Sequence, residues 1–451
     1  MPNSTLILIY TEKQFRTYIE SGAFTKLTQL EEVTFIFRSN LKKKIQSHTS
    51  NIHYINAFPK ILHRSGTLLA TLLLWSQRFR SPSHALRAHS SFGNKEIRKD
   101  SMSMILYNME GWSDLKRFLI RSLAVITPRK LVIYFRHIFI SRFMNNALRR
   151  IEIDLNRFSF VFIPFSGLLT REFDDYVDFF NNAGITTIAI QENWDNLSSK
   201  TFIDSSPRYF CVWGEQSAAH LKTIHRLEST VPVVTGSPRF LPYVTSNHEF
   251  LTYRKLPSSI QLKSQKPFVL FTGTGDGIDD LFILNETIAG LKNFQKYKLV
   301  YRPHPFTRNP IDDKVLSVIR KNGVLIDSSN TSKSVFHHCG LVYNASLVIN
   351  QFSTMLLESL SCNTKVLLPT FVNREVNYDY SRAIDEWFHF IGLKAFPNVY
   401  ISKTRQSFHD DLINAIEVRE ILDKKAPNWM CAQVDSRIEY LKLISKLRNT
   451  L

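Results

Sequence analysis

Short apolar runs alternate with longer polar or amphipathic stretches along most of this chain. The runs at 5–10, 33–37 and 52–55 have the pattern of buried strands, with helix-compatible segments between them. That alternation predicts β-α-β units in a parallel sheet. From 59 to 150 the strand pattern stops. Leu62, Leu68, Leu69, Leu72, Leu73 and Leu74 recur at helical spacing, 81–101 is polar, and 113–150 is again helix-compatible. A helical insertion over about 60–150 is the simplest account of this region. Strand patterns resume at 158–164, 185–190, 209–213 and 231–235, and a polar stretch without strong period at 246–266 reads as an interdomain linker. A second alternation places strands at 268–271, 299–301, 324–326, 347–349, 366–368 and 399–401. Near the end, Ile438, Leu441, Leu443, Ile444 and Leu447 predict an amphipathic helix. The expected fold is α/β: two Rossmann-like doubly wound domains, 1–245 and 267–435, facing a cleft lined by the carboxyl ends of their strands, with a closing helix in 436–451.

Composition sharpens this picture. The 451 residues exceed one ordinary domain, and 44% apolar content supplies a substantial core. The formal net charge is +18, but residues 1–150 hold 24 Lys and Arg against 8 Asp and Glu, a net +16. The remaining two thirds are nearly neutral. Four scattered cysteines, Cys211, Cys339, Cys362 and Cys431, form no CxxC pair and fit a reducing compartment. The first residues read as a strand rather than a leader, and the most apolar window, 68–75, is far shorter than the ~20 residues a spanning helix needs. A cytoplasmic location, peripheral on the inner face of the cytoplasmic membrane, is expected. Residues 116–150 carry nine Lys and Arg and no Asp or Glu, interleaved with Phe118, Leu119, Ile120, Val132, Ile133, Tyr134, Phe135 and Phe143. A basic nucleic-acid-binding protein and a core-packing helical pair with a cationic exterior both stay open. The apolar interleaving favours an anionic membrane surface over nucleic acid, which is not an expected partner.

Five segments at predicted strand ends carry candidate chemistry. Gly273-Thr274-Gly275-Asp276-Gly277 follows a strand and precedes a helix, so Gly273, Gly275 and Gly277 suit either a phosphate-facing loop or a tight turn. The Walker lysine and the dinucleotide GxGxxG spacing are both absent. Arg302 and His304, in Tyr301-Arg302-Pro303-His304-Pro305, offer a permanent cation and a stiffly held imidazole to a phosphate or leaving group. Ser353 and Thr354 open a helix, and Glu358 shares a face with Thr354. Hydroxyls there suit a phosphate, and the carboxylate suits the hydroxyls of a ribose. In Gln191-Glu192-Asn193-Trp194-Asp195, Glu192 or Asp195 could serve as general base and Trp194 could stack on a sugar. Finally, Arg239 follows Gly236-Ser237-Pro238, where a domain-closing turn and a ligand contact are equally good readings.

Taken in order, these segments resemble bacterial GT-B glycosyltransferases of surface-polysaccharide assembly. The resemblance is to the CMP-sugar (sialyl- and Kdo-) transferases and the CDP-glycerol glycerophosphotransferases, and it covers 158–370 best. His304-Pro305 and Ser353-Thr354 resemble the family's nucleotide-holding elements, and Glu358 its ribose-binding acid. The sialyltransferases' acidic pair followed by Gly is replaced here by Gln191-Glu192-Asn193-Trp194-Asp195, which leaves the base open between Glu192 and Asp195. The resemblance implies a metal-independent glycosyltransferase. Its donor would be a nucleotide-activated sugar, a CMP-sugar first, held by Gly273, Gly275, Gly277, Arg302, His304, Ser353, Thr354 and Glu358. Its acceptor would be a capsule, lipopolysaccharide or glycoprotein glycan, free or lipid-linked, near Trp194 and Arg239. Glycerol-phosphate transfer from CDP-glycerol and UDP-sugar 2-epimerisation share the scaffold. No cofactor is expected beyond the substrate nucleotide. Asp279-Asp280, Asp312-Asp313 and Asp410-Asp411 do not end strands near the cleft, so no metal site is expected.

Overall fold

A computed structural model of the chain describes residues 4–38, 52–55, scattered positions between 113 and 134, 153–166, 170–200, 202–257, 260, 267–273, 280–304, 313–327, 335–371, 380–418 and 427–450. It contains all thirteen expected strands. Seven form one sheet: β1 (Ser4–Ile9), β2 (Glu32–Arg38), β3 (Ile52–Ile55), β4 (Phe158–Phe165), β5 (Thr186–Gln191), β6 (Tyr209–Val212) and β7 (Val231–Val234). Six form another: β8 (Phe268–Thr272), β9 (Lys298–Arg302), β10 (Leu325–Ile326), β11 (Leu347–Asn350), β12 (Val366–Pro369) and β13 (Val399–Ser402). The orders are β3-β2-β1-β4-β5-β6-β7 and β10-β9-β8-β11-β12-β13, and the paired strands are parallel. Most of these strands are continuous apolar runs because parallel strands are covered on both faces.

Each order reverses once, at β1/β4 and at β8/β11. A reversal sends the two connecting helices to opposite faces and opens a crevice at the strands' carboxyl ends, where ligands bind in such sheets. The chemistry is therefore expected just beyond Ile9 and Phe165 in one sheet, and beyond Thr272 and Asn350 in the other.

The chain divides into two compact units, Met1–Pro238 with Ser436–Leu451, and Arg239–Asp435. In the first, helices α1 (Thr170–Asn182) and α2 (Glu215–Thr223) flank the sheet. In the second, α3 (Asp280–Leu291), α4 (Asp313–Lys321), α5 (Cys339–Asn344), α6 (Met355–Ser361) and α7 (Arg405–Glu417) do so. The final helix, α8 (Ser436–Arg448), belongs to the first unit's core. Its buried stripe is Tyr440, Leu443, Ile444 and Leu447, while Ile438 is exposed. The face is turned from the expected one because Tyr440 stacks on Phe24, ring centroids 5.4 Å apart, and Arg448 Nε donates to Glu31 Oε1 at 2.6 Å.

Residues 246–257, expected in a linker, instead pack within the second unit. Phe250 is buried, and the Arg254 guanidinium donates to the carbonyls of Pro242 (2.6 Å), Tyr243 (3.3 Å) and Thr245 (2.8 Å). The polar composition of this stretch conceals that one aromatic anchor. Gly340 of α5 lies directly on it: a Cβ there would overlap the Lys255 carbonyl oxygen and sit 2.7 Å from its carbon. Because the obstacle is backbone, Gly340→Ala should lower the second unit's urea stability by about 3 kcal/mol, the upper end of the overpacking range. An unchanged midpoint would show that the turn at 252–255 is not seated on α5.

Most of the expected insertion at 60–150 lies outside the described residues. Within it, positions 115, 118, 119, 122, 123 and 126 are helical, and Thr127 N donates to Leu123 O at 2.8 Å.

Candidate functional site

The carboxyl edge of the second sheet brings several candidates together. Strand register puts Arg302, Thr272 and Asn350 in one row across β9, β8 and β11, so the residues that follow them share an edge. The two strands at the reversal are locked there by side chains. Asn350 Nδ2 donates to Thr272 Oγ1 and to Ser353 Oγ, both at 2.7 Å, while Ser353 N donates to Asn350 Oδ1 at 3.2 Å. Thr272 Oγ1 in turn donates to Ile349 O at 3.2 Å. Ser353 Oγ also accepts from Met355 N at 3.3 Å, so its acceptor capacity is used inside the loop and its proton is left to donate outward. Thr354 is half-buried beside it.

Two further features of this loop escaped the sequence. Gln351 is 2% exposed, yet neither its Oε1 nor its Nε2 has a hydrogen-bond partner. Burying an amide unpaired costs about 1–3 kcal/mol. Phe352 adopts φ +52°, a left-handed conformation that bulky residues rarely hold, with its ring against Phe390 (5.4 Å) and Trp387 (6.3 Å). Strain of this kind collects at ligand sites. Only side-chain packing reveals the first and backbone geometry the second, since Gln and Phe after a strand carry no composition signal.

Gly273 and His304 meet at the same edge. Gly273 N donates to Arg302 O at 2.8 Å. A Cβ on Gly273 would lie 2.5 Å from Asp280 Oδ2, 3.0 Å from Tyr301 Oη and 3.3 Å from His304 N. The glycine thus lets Asp280, Tyr301 and the backbone of His304 pack against it, which any side chain would block. His304 is half-buried and follows Pro303 out of β9. Gly275 and Gly277 lie outside the described residues.

Three expected roles change once partners are visible. Arg302 is not a free phosphate cation. Its buried guanidinium donates to Asp327, which is fully buried, and to His337 Nε2 at 3.2 Å. Asp327 directly follows the neighbouring strand β10, so the pair ties the sheet edge together. Glu358 is not a ribose acceptor: it has no exposed surface, and its oxygens accept from Arg239 Nη2 (3.0 Å), Tyr243 Oη (3.0 Å) and His338 Nε2 (2.6 Å). Burial alone would raise its pKa, but His338, Arg239 and the Tyr243 hydroxyl outweigh that and hold the carboxyl at about 2. Arg239, expected beside an acceptor in the first domain, therefore lies in the second unit and is committed to Glu358. Burial pushes the Tyr243 hydroxyl well above its usual range, so it stays a proton donor.

In the first unit, Glu192 follows β5 and is buried, accepting from Lys13 Nζ (2.8 Å) and Gln14 Nε2 (3.1 Å). Trp194 is buried too, and its indole N–H donates to Gln216 Oε1 at 2.9 Å, so no ring face is open for stacking on a sugar. Asp195 is half-buried, accepting from Ser199 Oγ at 3.3 Å on Oδ2 and from Ser199 N at 3.0 Å on its carbonyl. Of the two acids, Asp195 is the more accessible. Among the described residues, no group of three or more His, Cys, Asp or Glu is arranged to hold a metal ion.

No family model and no curated protein matches this sequence. Solved structures do. A protein assigned as a UDP-N-acetylglucosamine 2-epimerase from Listeria monocytogenes aligns over 100% of this chain and 98% of its own, with TM-score 0.52 and 9% identity. The UDP-GlcNAc 2-epimerase of Methanocaldococcus jannaschii, in complex with UDP-GlcNAc and UDP, aligns over 98% and 99%, with TM-score 0.49 and 8% identity. The wall teichoic acid polymerase TagF aligns over 100% and 90%, with TM-score 0.48 and 10% identity. The chain has a two-domain α/β fold of the GT-B type.

Proposed function

We propose that this chain is a glycosyltransferase that moves a sugar from a nucleotide-activated donor, a CMP-sugar in the first instance, to a hydroxyl of a surface glycan. The observation that carries the reading is the loop after β11. A buried amide with no partner, a strained aromatic residue and an outward-donating serine lie together where a doubly wound sheet receives its ligand. In this reading the Gln351 amide is completed by the donor. Ser353, Thr354 and His304 donate to the phosphate oxygens. The acceptor hydroxyl attacks the anomeric carbon as the bond to the nucleotide breaks. His304 steadies the charge left on the departing phosphate, and a carboxylate base takes the acceptor's proton. The Arg302–Asp327 pair and the Glu358 cluster position the edge without touching the donor. No metal is given a role.

The test is to incubate the protein with CMP-, CDP-, UDP- and GDP-sugars and an acceptor glycan, with and without a chelator, and to identify the released nucleotide. Chelator-insensitive CMP release supports the proposal. Glycerol phosphate transfer from CDP-glycerol, or epimerisation of a UDP-sugar without transfer, would replace it with another reaction of the same scaffold. Gln351→Leu gives a second check. It removes an unpaired buried amide, so the unliganded protein should gain about 1–2 kcal/mol, while nucleotide-induced thermal stabilisation should be lost. A variant that still responds to nucleotide would remove Gln351 from the donor site.

A further inference from the structure

Trp429 is the most exposed of the described tryptophans. It stands 47% open, whereas Trp194 and Trp213 are buried and Trp387 is half-buried. Among the described residues it has no ring, ionic or hydrogen-bonding partner. Leaving so large an apolar ring against water is unfavourable, and this ring is also firmly seated. Met430 N and Cys431 N both donate to Pro427 O, at 2.9 and 2.7 Å, and Gln433 N donates to Asn428 Oδ1 at 3.1 Å. Met430 and Cys431 themselves are buried. Gly392, at φ +96°, lies against one edge of the indole: a Cβ there would sit 3.4 Å from Cζ3 and 3.7 Å from Cε3. Phe390 and Trp387, just before Gly392, stack at 5.9 Å and 10°, and both meet the ring of Phe352 in the loop after β11. A packed path of aromatic residues therefore runs from the donor loop to Trp429.

We infer that Trp429 is a stacking platform for an uncharged sugar ring of the glycan, a subsite removed from the reacting hydroxyl. The choice of ligand rests on the glycan-transfer reading above. One face of a pyranose is a sheet of C–H groups that suits an indole, and its rim is a ring of hydroxyls that needs neutral hydrogen-bonding groups. Asn428, exposed beside the ring, uses its Oδ1 inside the turn and keeps its Nδ2 protons for the outside. Charge excludes the other occupants. Residues 427–434 carry no charge, and 387–393 carry only His389, which is buried. An anionic lipid or a nucleic acid would find no cation on these two segments. A second copy would find Trp429 and Ile391 exposed, and two side chains fall far short of the ~800 Å² per partner of a standard interface.

Calorimetric titration of the full chain, without nucleotide, tests this. The probes are maltohexaose, chitohexaose and glucose. The wild type should bind at least one hexasaccharide, at least roughly fivefold more tightly than glucose. Trp429→Ala should weaken that binding by about fivefold or more, and Trp429→Tyr, which keeps an aromatic face, should restore most of it. No hexasaccharide binding by the wild type, unchanged binding by Trp429→Ala, or a tyrosine variant as weak as the alanine one would overturn the inference. So would a wild-type dimer that Trp429→Ala dissolves in the absence of hexasaccharide binding. The donor site is tested apart from this, since nucleotide-induced stabilisation of Trp429→Ala should equal that of the wild type. Hexasaccharide binding by a protein that responds to no nucleotide would remove the transferase reading and leave the platform standing.

Discussion

Glu358→Ala will destabilise the second unit by about 3–5 kcal/mol, the cost of breaking a buried ion pair from one side. The carboxylate has no exposed surface and receives Arg239, Tyr243 and His338. Its removal strands the Arg239 cation and leaves two buried donors without an acceptor. Glu358→Gln, which still accepts from Tyr243, should cost less. The pH dependence follows from the direction of the shift. The folded carboxyl titrates near 2 rather than at its ordinary 4.5. A depressed folded pKa contributes stability that is fully present above 4.5 and lost as pH falls toward 2. The full amount is about 3 kcal/mol for this one group. Glu286, held by Arg405 and His409 against the penalty of its own burial, is shifted the same way. The informative quantity is therefore the difference between wild type and variant. Urea midpoints taken from pH 7 to pH 3 should converge below pH 4.5. Parallel curves would show that Glu358 is not ionised in the folded protein.

His304→Ala will lower the transfer rate by about 10²–10³-fold at saturating acceptor, the usual cost of losing one positioned donor to a departing group. Folding should be little affected. The side chain is half-buried at the end of β9, and the core beneath it is built from Phe271, Tyr301, Leu347 and Ile349. A structural role would appear instead as a lowered melting point with the rate per folded molecule preserved. Steady-state kinetics and a melting curve on the same preparation separate the two.

The fold was legible because both sheets are built from buried parallel strands, which appear in sequence as apolar runs such as those of β1 and β8. Their edges were legible as well. His304, Ser353 and Thr354 each follow such a run, and the register brings them to one edge. What could not be read were partners distant in the chain. Arg302 meets Asp327 across the β9/β10 edge, Glu358 meets Arg239 and Tyr243 more than 100 positions away, and Trp194 meets Gln216. In each case a residue chosen for its reactive group had that group engaged inside the fold. Gln351 is the converse: its significance is the absence of a partner, which only three-dimensional packing reveals.

The central claim is that a nucleotide-activated donor sits at the carboxyl edge of the second sheet. Thermal denaturation of wild type and His304→Ala, side by side with CMP, CDP, UDP and GDP, tests it most directly. A nucleotide at about 100 times its Kd adds about 2.7 kcal/mol to the folded state. The account predicts a rise of several degrees for the wild type with its cognate nucleotide, CMP first, and none for His304→Ala. No rise with any nucleotide, or an equal rise in both proteins, would contradict it.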